Sequence, residues 1–126
     1  MAVTITGPFL LDKVEQLLLD GVWPTYNPAN NPGNLWVCGY NNYGQLGQND
    51  TTNRSSLVQI PGSWLNAACG YYHTLMIKSD NTLWACGANG QGQLGQNDTT
   101  NRSSLVQIPG SWITVAGGAN HTLMRT

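Results

Sequence analysis

Charge is what this chain has least of. Only 9% of its residues are Asp, Glu, Lys or Arg, against an ordinary level of about 25%. The 5 basic residues, Lys13, Arg54, Lys78, Arg102 and Arg125, are scattered and build no patch, which excludes a surface that grips nucleic acid through its phosphates. Cysteine is scarce too. Cys38, Cys69 and Cys86 are odd in number and lack Cys-x-x-Cys spacing, which argues against a disulfide framework and a zinc site and leaves them as small buried thiols. Catalytic signatures are missing as well. Among Asp12, Glu15, Asp20, Asp50, Asp80 and Asp98 no pair has the placement of a general acid and base, and no Gly-x-Ser-x-Gly, phosphate-loop or dinucleotide fingerprint occurs. The expectation is a protein that is not an enzyme and takes no cofactor and no metal.

What the chain has is repetition. The twenty residues from Gln45 to Trp64 recur letter for letter from Gln93 to Trp112, a shift of 48 positions. The likeness extends to Leu35-Trp36-x-Cys38-Gly39 with Leu83-Trp84-x-Cys86-Gly87, and to His73-Thr74-Leu75-Met76 with His121-Thr122-Leu123-Met124. The units therefore run over about 35–76 and 83–124. Each holds four short apolar runs between turn residues, in the first unit Leu35 to Cys38, Leu57 to Ile60, Leu65 to Cys69 and Thr74 to Lys78. Pro61-Gly62 and Pro109-Gly110 mark the turn before each Trp-bearing strand. A period of roughly 40 to 50 residues without helical periodicity is that of radially repeated four-stranded sheets. The fold class expected over 34–126 is all-β, as two four-stranded propeller blades. Trp36, Trp64, Trp84 and Trp112 read as packing between neighbouring sheets, where indoles supply large apolar area.

Leu-Trp-x-Cys-Gly-x-Asn-x-x-Gly-Gln-Leu-Gly (35–47 and 83–95), Leu-Val-Gln-Ile (57–60 and 105–108) and Ala-x-Gly-x-x-His-Thr-Leu-Met (68–76 and 116–124) resemble the regulator of chromosome condensation repeat. The resemblance covers about three quarters of the chain. It implies a β-propeller, usually of about seven blades on one chain, and a structural, blade-packing role for His73 and His121. A metal ring across subunits is the alternative, should such histidines converge on an axis. This chain carries two repeats. Two blades leave sheet faces and edges uncovered, which invites association. The expectation is a homo-oligomer, favoured as a trimer whose two-blade chains close a six-bladed ring. A fragment of a longer chain is the alternative, although Met1 and the distinct N-terminal segment read as a natural start.

Residues 1–33 differ in kind. From Pro8 to Asp20, Leu10, Leu11, Val14, Leu17 and Leu18 recur with the spacing of a short amphipathic α-helix that starts at Pro8 and stops at Gly21. It is too short for a bilayer and not basic enough for a membrane surface, so it must bury its leucines against protein. Either it caps its own propeller, or it anchors the chain to a larger assembly through the Pro- and Asn-rich linker that follows.

Loops 48–56 and 96–104 are rich in Asn, Gln, Thr and Ser, a composition associated with extracellular and virion-surface β proteins. Asn49, Asn53, Asn97, Asn101 and Asn120 fit the glycosylation pattern but, with no signal peptide in view, read as loop residues. Two functional classes fit. One is a structural or decoration protein of a bacteriophage particle or similar symmetric assembly; the other is a carbohydrate- or receptor-binding adhesin module. A recently duplicated or artificial propeller fragment is a third. Identical loops suit a symmetric scaffold or multivalent weak binder better than one asymmetric pocket.

Overall fold

The computed structural model describes residues 32–126, whose regular structure is β. The helix expected over 8–20, with Leu10, Leu11, Val14, Leu17 and Leu18, lies outside the described residues. The strands are β1 (Gly33–Gly39), β2 (Arg54–Cys69), β3 (His73–Lys78), β4 (Leu83–Gly87), β5 (Arg102–Ile108), β6 (Thr114–Gly117) and β7 (Thr122–Arg125). They form one antiparallel sheet in the order β1-β2-β3-β4-β5 and a second, β6-β7.

Alternation along β3 explains its central place. Leu75 and Ile77 point to one face, into a cluster with Leu83, Ala85, Leu94 and Ile108. Met76 points to the other, joining Ile60, Trp64 and Cys86. A strand apolar on both faces must be covered on both, and each fully buried Leu, Ile or Met contributes about 1.5–3 kcal/mol. Leu75 and Met76 are both 0% exposed.

The strand β2 is 16 residues long and serves two partners. From Arg54 to Trp64 it pairs with β1, and from Trp64 to Cys69 it pairs with β3, with a register shift between Trp64 and Asn66. The meander of Trp64–Cys69, β3, β4 and β5 is one complete four-stranded blade. Shifted by 48 positions, β1 corresponds to β4 and residues 54–60 to β5, so they are the outer half of a preceding blade. By the same shift β6 and β7 are the inner half of a following one. The described chain is thus half-blade, blade, half-blade.

This corrects the expectation that each sequence repeat is a blade of four separate strands. The boundary between repeats falls at Asp80, inside the tight turn joining β3 to β4. There the Lys78 and Asn81 amides donate to the Thr82 and Lys78 carbonyls, both at 2.9 Å, and Asn81 takes a φ of 64°. So short a hairpin obliges its flanking strands to pair, and they belong to different repeats. The blade is packed on both sides. Trp112, Val115 and Met124 cover its Leu75 face, and Leu35, Val37 and Ile60 its Met76 face.

Candidate functional site

The Asn- and Thr-rich loops are built inward. Asn41 is fully buried; its Nδ2 donates to the Asp50 and Thr52 carbonyls at 3.0 and 3.1 Å, and its Oδ1 accepts from the Leu46 amide at 2.9 Å. Asn89 repeats this with the Asp98 carbonyl and the Leu94 amide, both at 2.9 Å. Arg54 closes one loop on Asp50 at 2.5 Å and Arg102 the other on Asp98 at 2.6 Å. The amides of Thr52 and Thr100, with these guanidinium groups, hold the Asp50 and Asp98 carboxyls below their ordinary range. These residues maintain loop shape, as buried polar groups must when they satisfy one another.

The tryptophans and histidines do not share one environment. Trp64 is buried, and the Lys78 ammonium lies 5.3 Å from its ring centre and 4.3 Å from that of Trp84. Trp84 and Trp112 are half-buried, whereas Trp36 is 52% exposed. His73 is buried, with Nε2 at 3.2 Å from the Thr122 hydroxyl and Nδ1 unpartnered. Its burial, with His121 nearby, lowers its affinity for a proton. His121 is exposed. Among the described residues no strand therefore covers Trp36 or His121, which stand on the two half-blades. The thiols divide likewise, which corrects their reading as uniformly buried. Cys86 is buried and its pKa is pushed up to about 12, whereas Cys38 and Cys69 are exposed.

The most distinctive surface is a cluster absent from the sequence reading. Tyr40, Tyr43, Tyr71 and Tyr72 pack ring to ring, with Tyr43 and Tyr72 centroids 4.8 Å apart and Tyr71 edge-on to Tyr72 at 4.7 Å. Tyr40 and Tyr71 remain 47% and 70% exposed. Burial and the neighbouring phenols raise the Tyr72 pKa. The cluster borders an open cavity of about 610 Å³, lined also by Cys38, Cys69 and His73. At the equivalent positions the second repeat has Ala88, Gln91, Ala119 and Asn120. Aligning the repeats for their differences would have exposed the cluster. Aromatic rings beside a polar-rimmed cavity can stack on flat apolar faces and donate phenolic hydrogen bonds.

Antiparallel half-blades stacked around a complete blade define a propeller-repeat protein. The sequence pattern of the regulator of chromosome condensation (RCC1) repeat matches residues 32–77 and 80–124, and a second pattern of that repeat matches 66–93. The chain belongs to this family. No curated protein matches its sequence. Among solved structures it is similar to human WBSCR16, at 26% identity and TM-score 0.57 over 66% of this chain and 24% of that one. It is similar also to Prp20p of Saccharomyces cerevisiae, described with its binding to Gsp1p and histones, at 14% identity and TM-score 0.61 over 73% and 26% of the two chains. Yeast RCC1 (Prp20) in complex with Kap60 matches at 18% identity and TM-score 0.58, over 70% and 24%. The chain spans about a quarter of the length of each of these structures.

Proposed function

We propose that this chain is a self-assembling structural protein that works by forming a homo-oligomeric propeller and performs no catalysis. The observation that supports this reading is the half-blade, blade, half-blade layout. One end of the described chain offers only outer strands and the other only inner strands, so copies joined end to end regain whole blades. Trp36, Leu57, Ile113 and Leu123, at 52%, 65%, 60% and 64% exposure, are large apolar side chains on or beside these half-blades. Such surface in a protein with 9% charged residues favours association. Three copies would supply six blades, and closure would avoid open fibres. Binding to partner proteins, as described for Prp20p, would use the ring surface. In this reading residues 1–33 attach the ring to a larger symmetric assembly such as a bacteriophage particle.

Light scattering on the purified chain tests the proposal. A mass near three times 13.6 kDa is expected; a stable monomer at micromolar concentration overturns it. Removal of residues 1–31, which leaves β1 whole, should leave the oligomer intact and abolish attachment.

A second reading, a carbohydrate- or receptor-binding module, is favoured by the tyrosine cluster alone. Saturable glycan binding by the wild-type chain, lost in Tyr71→Ala, would place it first.

A further inference from the structure

We propose that β7 of one copy pairs with β1 of the next, and that residues 118–122 of the first enter the tyrosine-lined cavity of the second. This rests on the homo-oligomeric reading and specifies its interface. The molecule already displays the joint once, inside its own chain. β3 and β4 pair as His73 with Gly87, Thr74 with Cys86, Leu75 with Ala85, Met76 with Trp84 and Ile77 with Leu83. Shifted by 48 positions, the same register sets His121 against Gly39, Thr122 against Cys38, Leu123 against Val37 and Met124 against Trp36 of the next copy. Both strands present edges with which no described strand pairs.

Burial follows this correspondence. Leu75 is 0% exposed and its equivalent Leu123 is 64% exposed. Cys86 is buried and Cys38 exposed; His73 is buried and His121 exposed. Glycines show the space held open. Gly87 and Gly39 share a φ of 109°, yet a β-carbon on Gly87 would lie 2.4 Å from the Tyr72 carbonyl oxygen, whereas one on Gly39 would meet nothing within 4 Å. The loop before β2 behaves the same way. A β-carbon on Gly44 would meet Ser103 at 2.3 Å, and one on Gly92, its equivalent, nothing within 4 Å.

The cavity is the vacancy this register fills. Around Cys86 and Thr122, equivalents of its lining residues Cys38 and Thr74, lie Tyr72 and His73. The Tyr72 carbonyl accepts from the Ala88 amide at 2.8 Å, and His73 reaches the Thr122 hydroxyl at 3.2 Å. Across copies, the Asn120 carbonyl would accept from the Tyr40 amide and His121 would reach the Thr74 hydroxyl. The second docking point sets the Gly92 loop on Ser55 and the Gly95 turn on Leu57, as Gly44 sits on Ser103 and Gly47 on Leu105. A second copy fits this surface because residues 45–64 and 93–112 are identical, so the receiving strand carries the residues the internal joint uses. Arg125, which replaces the buried Ile77, stands at the end of β7.

The experiment is oxidation of Thr122→Cys in a Cys69→Ser background, which sets a thiol opposite Cys38 of the neighbouring copy. Leu123→Cys, on the opposite face of β7, is the control. Expected are intermolecular disulfides giving covalent dimers and trimers on a non-reducing gel, at least about tenfold faster than the control at the same protein concentration. Cysteines whose β-carbons point apart cannot be bridged without backbone movement. Hydrogen exchange on the wild-type oligomer needs no variant, and β1 and β7 amides should be protected like those of β3 and β4. An oligomer by light scattering in which 122 does not link to Cys38 and β1 and β7 exchange freely overturns this interface and leaves the oligomer standing. A monomer overturns both.

Discussion

The segments 45–64 and 93–112 are the same twenty letters, and they do not have the same structure. In the first copy the backbone continues as strand through Pro61 and Gly62 to Cys69, while in the second it stops at Ile108 and bends at Pro109 and Gly110. Trp64 is buried, and Trp112 is half-buried. The difference lies in their neighbours. Gly33 of β1 pairs with Trp64 across the Pro-Gly step, and Lys78 of β3 pairs with Trp64 from the other side. No described strand does this for Trp112. Proline tolerates either outcome, since it lacks only a donor and sits where the strand passes from one sheet partner to the next. Identical local preference thus yields two backbones, decided by what lies alongside.

The sharpest way to test this contrast is to cut equivalent side chains on the covered and uncovered strands. Leu75→Ala empties a filled site and should cost about 2–5 kcal/mol in denaturant unfolding. Leu123→Ala should cost under about 1 kcal/mol when measured below the association concentration. Equal costs would mean that β7 is already covered within one chain.

The loops make the opposite prediction. Asn41→Ala and Asn89→Ala each strand buried backbone partners and should destabilise by about 1–3 kcal/mol, by similar amounts in thermal melts. A large inequality would show that only one loop is held by its buried asparagine.

The histidines sharpen the comparison through pH. Burial lowers the folded-state pKa of His73, so the unfolded chain binds the extra proton first. Stability is therefore fully present above about pH 6.5 and declines as pH falls below it. His73→Gln should flatten the pH 5 to 7 limb of the melting profile.

The smallest effect belongs to the carboxylates. Asp50 and Asp98 have depressed folded-state values, so their contribution is present above about pH 4 and is lost as acid protonates them. Because both loops share one geometry, Asp50→Asn and Asp98→Asn should blunt that acid limb to the same small extent.

Much of the fold was legible because it follows from local pattern. The strands at 35–38, 57–60, 74–78 and their equivalents were readable from apolar runs between turn residues, and the repeat from letter identity. The blade boundary was not. It depends on the hairpin at Asp80 pairing two strands that belong to different repeats, β3 and β4, and a repeat search returns a period without a phase. The tyrosine cluster was missed because attention to what recurs conceals what does not. Tyr40, Tyr43, Tyr71 and Tyr72 come from two loops about 30 residues apart, and only folding brings their rings together.

By itself, the order of amino acids determined that residues 34–126 are an all-β repeat of the RCC1 kind, with polar loops and almost no charge. Period-two alternation and glycine-rich turns act over a few residues and are written in the chain. Only the tertiary structure decided that one blade is whole and two are halves, that Leu75 is buried while Leu123 is bare, and that one histidine is sealed and its twin exposed. Strand pairing is a relation between distant segments, and identical segments with different neighbours resolve differently.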